Sequence, residues 1–317
     1  MSAQTEVIRS DTASQVLRSR SLGALTLRRL IRQRNAIIGM SILLFLVFVA
    51  FFAPWLAPYG PYNDLIGEEP VVAREKPCIH LLGCSQDKPQ HIMGIDGNFR
   101  DQFSRVIYGT RISLFIGFTT IGIAVVVGAF IGAISGYLGG WADNIIMRFM
   151  DVILAFPSFL LAIAIITVLG RGLQNALYAI AVVNVPVFAR LVRASVLSIK
   201  EQEFVAASRA LGASSLRLLF VRIFPNALPT LIVQATLSIA SAILEAAALS
   251  FLGLGAQPPA AEWGTMLGTE RNQVFTAPHL VFFPGIAIMI TVLAFNLLGD
   301  GLRDALDPRL VQAAKTK

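Results

Sequence analysis

Six stretches, roughly 36–54, 111–138, 144–169, 175–197, 228–252 and 280–299, carry few charges and are dominated by aliphatic residues and Phe. They limit the fold more than any other feature, because a helix needs about 20 mostly apolar residues to cross a bilayer. Inside hydrocarbon every backbone N–H and C=O must be satisfied within the chain, so the simplest spanning element is a helix. Composition points the same way. Of 317 residues, 55% are hydrophobic and 14% are charged, where soluble domains carry about a quarter charged residues. With a mean hydropathy of +0.69, a water-soluble particle would lack the polar surface to cover itself. The pattern predicts an all-α integral membrane protein with six transmembrane helices.

Charge sets the orientation. Residues 1–36 hold seven basic and two acidic side chains, 54–110 hold five and seven, and 189–226 hold six and two. Six spans place these segments on alternating sides, and the Lys/Arg excess belongs to the cytoplasm. Both termini and 189–226 are therefore expected inside, with 54–110 and 253–279 outside. The first apolar stretch is too long for a signal-peptide core and reads as an uncleaved span. The expected divisions are a cytoplasmic tail 1–35, a first span with its external loop 36–110, a five-helix core 111–302 with a cytoplasmic hairpin at 199–226, and a tail 303–317. The net charge of +7 is spread between apolar stretches, not gathered on a soluble face, so nucleic acid is not the expected partner.

Several residues stand out inside the spans. Pro157, Pro186 and Pro284 each remove a backbone hydrogen bond and read either as packing kinks or as hinges. Gly128, Gly132 and Gly136 recur every four residues, which puts them on one helix face open to close backbone approach. Arg148 and Asp151, three apart, are placed to pair on one face. Glu245 has no basic residue within four positions. It reads either as part of a translocation pathway or as a buried, hydrogen-bonded carboxylic acid.

Catalytic signatures are missing. The chain has no Gly-x4-Gly-Lys-Ser/Thr phosphate loop, no His-Glu-x-x-His helix and no Gly-x-Ser-x-Gly elbow. It is not expected to be an enzyme. The outer loop holds Cys78, His80, Cys84 and His91. With five residues between them in an oxidising exterior, the two cysteines suit a small disulfide loop; free thiols and a metal site are the alternatives.

Between spans four and five lies an amphipathic segment. Residues 200–211 are rich in helix formers with acidic residues first, and Gly212 is a natural stop. Leu216, Leu219, Phe220 and Ile223 follow at i, i+3, i+4 and i+7, an apolar stripe with Arg217 and Arg222 off it, and Pro225 is expected to end this second helix. The segment reads as a helix–turn–helix at the inner membrane face, either bracing the bundle or docking a cytoplasmic partner.

The order Glu203, Ala206-Ala207, Gly212, Ile223 and Pro225 resembles the signature loop of binding-protein-dependent ABC importer permeases. Further motifs resemble the dipeptide/oligopeptide/nickel group of that family. These are Phe52-Ala-Pro-Trp-Leu-Ala-Pro-Tyr, Met93-Gly-Ile-Asp-Gly-Asn-Phe-Arg-Asp and Tyr108-Gly-Thr-Arg-Ile-Ser-Leu in the first half. Ala247-Ala-Leu-Ser-Phe-Leu-Gly-Leu-Gly-Ala-Gln-Pro-Pro, Trp263-Gly and Phe295-Asn-Leu-Leu-Gly-Asp-Gly-Leu-Arg-Asp-Ala-Leu-Asp-Pro complete the series. Together they resemble the second permease, a C-type subunit. Two departures stand out: Phe99 occupies a position where the family has Gly, and the stretch 68–90 with both cysteines is longer than usual.

The resemblance implies a type I ABC importer permease fold in a bacterial or archaeal plasma membrane. It implies four kinds of partner: a homologous second permease, two cytoplasmic ABC ATPases, an external substrate-binding protein and a peptide cargo. ATP and Mg would be bound by the ATPases, with no cofactor on this chain. The hairpin would be the coupling element, with Glu203, Ala206, Ala207, Arg209, Gly212, Ala213, Leu216 and Phe220 as its docking residues. A nickel-chelate or glutathione permease is the alternative within the family, and a stand-alone secondary transporter lies outside it.

Overall fold

The computed structural model describes Leu30, Ile31 and residues 33–306; apart from their innermost positions, the expected tails 1–35 and 303–317 lie outside the described residues. The helices are α1 (Arg34–Leu56), α2 (Gln102–Leu138), α3 (Gly140–Leu154), α4 (Ser158–Leu169), α5 (Leu173–Lys200), α6 (Glu203–Ala210), α7 (Ser215–Phe251), α8 (Trp263–Glu270) and α9 (His279–Leu306). Among the described residues β pairing is limited to isolated bridges in the loop between α1 and α2.

Five of these helices, α1, α2, α5, α7 and α9, are each long and apolar enough to span a bilayer. The sixth span, expected as one helix over 144–169, is instead two: α3 and α4 meet at an 89° bend. Pro157 explains the break. It cannot donate to the ladder, and its ring disfavours helical backbone at Phe156. Pro186 and Pro284 lie inside unbroken helices, so only one of the three prolines breaks its span.

The bundle is assembled around α2 and α5, whose contact is the most extensive in the fold. A Cβ at Gly132 would collide with the Ala189 backbone, and one at Gly128 would meet the Val185 carbonyl and Phe188. The small-residue face expected on the second span is thus the seam with α5. Asp143 at the start of α3 ties the same helices at their far end: it accepts from Arg193 Nε at 2.6 Å and Nη2 at 2.5 Å, and from Ser135. Arg148 and Asp151 do not pair. Asp151 accepts from Arg190 of α5 at 2.5 Å, because packing α3 on α5 brings a guanidinium closer than the next turn of its own helix does. On the outside, Phe48, Phe51 and Trp55 of α1 and Phe115, Phe118 and Phe130 of α2 are exposed. Helices apolar on faces away from the core are what a lipid-facing surface requires.

The loops 57–101 and 252–278 form a cap over one end. α2 begins at Gln102, ahead of the expected loop boundary at 110, because Asp101 caps it by accepting from the Ser104 backbone N–H at 2.7 Å. Arg105 donates to the carbonyls of Pro61, Pro259 and Ala260. Trp263 is fully buried, with its Nε1–H on the Val106 carbonyl at 3.0 Å. Cys78 and Cys84 are joined as a disulfide, with Cα atoms 5.4 Å apart. The other two members of the Cys/His set turn elsewhere: His80 meets the Lys88 carbonyl at 2.8 Å, and His91 lies between Asp101 and Glu69.

Candidate functional site

At the opposite end of the bundle from this cap, the chain leaves α5 and forms a hairpin. Ala-rich α6 has Glu203 in its first turn and Arg209 in its last, each sign matching the helix dipole at that end. The helix closes as a Schellman motif: Ala213 N–H donates to Ser208 O at 3.2 Å and Gly212 N–H to Arg209 O at 3.0 Å. Gly212 has φ +81°, with open space around it. A glycine is therefore required by backbone conformation, not by crowding.

The second arm departs from expectation. It does not end at Pro225. Ser215–Phe251 is one continuous helix, with a π-helical turn over Leu218–Ile223 and Pro225 just beyond it. Proline cannot donate a backbone N–H, and the wider π turn is a common place for a helix to absorb such an interruption. The widened turn also splits the expected apolar stripe. Leu219 and Ile223 are buried in the core together with Leu218, whereas Leu216 is 71% exposed and Phe220 faces outward beside Val221.

The hairpin therefore has two sides. Val205, Leu218, Leu219 and Ile223 anchor it in the bundle core. Glu203, Ala206, Ala207, Arg209, Gly212, Leu216 and Phe220 are all exposed, with Ala213 half-buried behind the turn. A cavity of about 260 Å³ lies under the turn, lined by Ser208, Leu211, Gly212, Ala213, Arg217 and Arg222. Leu211, 89% exposed, and Val221 belong to this outward surface and were not among the expected residues. The sequence signal for Leu211 is its place directly before the turn glycine, where the end of α6 leaves a side chain without a neighbour. Leu211, Leu216, Phe220 and Val221 thus form an exposed apolar surface on the hairpin.

Glu245 lies elsewhere, in the apolar length of α7. It is half-buried, close to Asn184 on α5 and Ser158 at the first turn of α4. Cys78 and Cys84 lie in the cap, remote in sequence from both features.

Within the cap the electrostatics are well defined. Burial alone would lower the proton affinity of His91, but Asp101 at 2.9 Å from Nδ1 and Glu69 at 3.2 Å from Nε2 outweigh it and hold the imidazole above its ordinary range. Glu262 moves upward: burial dominates, even though its carboxylate accepts from the backbone N–H groups of Gly264 and Thr265. It caps the N-terminus of α8.

A bundle of five spanning helices and one bent pair, with a lipid-suited surface, one capped end and an exposed hairpin at the other, defines a polytopic membrane protein. The chain belongs to the family described as "Binding-protein-dependent transport system inner membrane component", which matches residues 128–312; residues 21–74 match the "N-terminal TM domain of oligopeptide transport permease C". It is 48% identical to the dipeptide transport system permease protein DppC of Alkalihalophilus pseudofirmus, over 89% of this chain and 88% of that one. It is 43% identical to the glutathione transport system permease protein GsiD of Pectobacterium atrosepticum, over 89% of this chain and 90% of the relative. Its fold is similar to a chain of the inward-facing MetNI methionine ABC transporter. The TM-score is 0.54 at 21% identity, covering 64% of this chain and 97% of that one. The protein is a multi-pass inner-membrane permease with the ABC importer permease fold.

Proposed function

We propose that this chain is one of two permease subunits of an ATP-driven importer that moves di- and oligopeptides from an external binding protein into the cytoplasm. The observation that carries the reading is the two-sided hairpin, with Val205 and Ile223 buried at its base and Leu211, Leu216 and Phe220 exposed at its surface. A rigid base joined directly to α7 lets a force applied at the surface reach the membrane-spanning helices. The surface belongs to a cytoplasmic ABC ATPase, two of which serve the pair of permeases and hold ATP and Mg, leaving this chain without a cofactor or a catalytic role. Both termini then lie in the cytoplasm with the hairpin, and the cap of loops 57–101 and 252–278 faces the external binding protein. Closure of the ATPases draws on the hairpin, reorients the spans and opens the pathway outward; hydrolysis resets it.

Peptide cargo is supported by the relatives named for dipeptide and glutathione transport, glutathione itself being a small peptide. The test is ATP-dependent uptake by the whole reconstituted complex in proteoliposomes, offered a mixed peptide pool and nickel, with the contents read by mass spectrometry. Peptide accumulation requiring both ATP and the binding protein is expected. Metal accumulation without peptide, or uptake by this chain alone, would overturn the proposal.

A further inference from the structure

Glu245 lies in the apolar length of α7 without a counter-ion among the described residues. Arg193 is matched by Asp143 and Arg190 by Asp151, but none of the ion pairs among the described residues includes Glu245. A carboxylate in the apolar part of a span is costly unless it meets a cation or a water-filled path. Its neighbours are neutral: Asn184, which already gives one amide hydrogen to the Ile180 carbonyl at 2.9 Å, and Ser158. Ser158 opens α4 directly after the break at Pro157.

The position of Glu245 on α7 is also informative. Thr230, Gln234, Ser241 and Glu245 follow at intervals of four, seven and four residues, which places them on one face of the helix. Thr230 and Ser241 are exposed, and Gln234 and Glu245 are half-buried. A polar stripe of this kind does not suit acyl chains; it suits the wet interior between two permease subunits. Of the polar groups on the stripe, only Glu245 is charged.

We infer that Glu245, close to Asn184 and Ser158, accepts the protonated α-amino group of the cargo within the membrane-spanning part of the pathway. The inference rests on the peptide reading above and adds the chemical group that the pathway engages. A carboxylate beside two neutral polar side chains provides one negative charge and selects a compact primary ammonium over an acylated amine.

Two measurements on the whole reconstituted complex test it. In the first, alanyl-alanine uptake is compared for the wild type, Glu245→Gln and Glu245→Asp at equal abundance of assembled complex. Glu245→Gln should lower uptake about tenfold or more, the loss of one charge-assisted contact, and Glu245→Asp should retain most of it. In the second, wild-type Glu245 is labelled with a carbodiimide and an amine nucleophile, and the site is read by mass spectrometry. Alanyl-alanine should protect it and N-acetyl-alanyl-alanine should not, a difference that a purely structural carboxyl group would not produce. Equal uptake by the wild type and Glu245→Gln, or equal protection by the two peptides, overturns this inference alone. Failure of the wild-type complex to take up any peptide overturns the transport reading and this inference with it.

Discussion

Arg74, in the loop after α1, and Glu270, the last residue of α8, are 196 positions apart and meet at 3.0 Å. The other carboxylate oxygen of Glu270 accepts from the Gly97 backbone N–H at 3.1 Å. A single buried carboxylate thus fastens the two halves of the cap. Glu270→Ala removes the acceptor of a backbone N–H and the partner of a guanidinium, so it should weaken the attachment by about 2 kcal/mol. Hydrogen exchange at Gly97 should accelerate by about thirtyfold, the same free energy expressed as a rate. Glu270→Gln keeps an acceptor for Gly97 and should fall in between. No change in exchange would mean that the loop is held by other contacts.

His91 should make the cap sensitive to pH. Its ring is held between Asp101 and Glu69, and the Tyr59 hydroxyl donates to the second oxygen of Glu69 at 2.7 Å. With a carboxylate oxygen at each ring nitrogen, the arrangement is best satisfied by the doubly protonated ring. The folded state therefore binds this proton more tightly than the unfolded chain, where His titrates near about 6.5. The stabilisation is complete below that value and is lost as pH rises through the raised folded value. Thermal melts of the reconstituted protein should show the cap more stable at pH 6 than at pH 8, which lie about half a unit below and about one and a half units above the unfolded titration point. His91→Gln should flatten that part of the slope; an unchanged slope in the variant would assign it to other groups.

The spans were legible because apolarity over a bilayer's width leaves an unambiguous trace in sequence, and the glycines at 128, 132 and 136 showed the face that α5 approaches. The bend between α3 and α4 was legible only as Pro157; its angle depends on what the two halves pack against. The π turn left no trace, since a six-residue run such as Leu218–Ile223 has the composition of any apolar helix. The pairing of Asp151 followed tertiary proximity to Arg190, 39 positions away, over the local rule that favoured Arg148. In the cap, Arg105, Glu270 and Trp263 act on partners more than 150 positions distant. Spacing carries no information about such contacts. The hairpin's location was readable, but the division into anchoring and outward side chains was not, because it depends on the register shift of the π turn.

Gly212 separates a conformational requirement from a steric one. A Cβ there would meet nothing within 4 Å, so crowding exacts no penalty, while φ +81° is unfavourable for L side chains. Gly212→Leu should cost the hairpin about 1–2 kcal/mol through left-handed backbone and lower transport at normal abundance. Gly212→Asn should be milder, because Asn tolerates that region. Equal uptake by Gly212→Leu and the wild type at equal abundance would show that the turn geometry is not needed for coupling.

The buried and exposed sides of the hairpin should respond in opposite ways to truncation. Ile223 is fully buried among core residues, so Ile223→Ala removes packed methyl groups and should destabilise the fold by about 2–5 kcal/mol. Leu216 is exposed and absent from the core cluster, so Leu216→Ala should leave the melting temperature of the isolated chain within about 0.5 kcal/mol equivalent of the wild type. If the exposed side is the ATPase surface, Leu216→Ala and Leu211→Ala should weaken capture of the ATPase in a pull-down from detergent, whereas Ile223→Ala should lower abundance before capture can be measured. A Leu216→Ala chain that is destabilised but captures the ATPase normally would reverse the assignment of the two sides. The result matters because α6 meets the bundle chiefly through Val205 and the π turn. Ser215–Phe251 is one continuous helix, so α7 joins the hairpin directly to the span that carries Glu245.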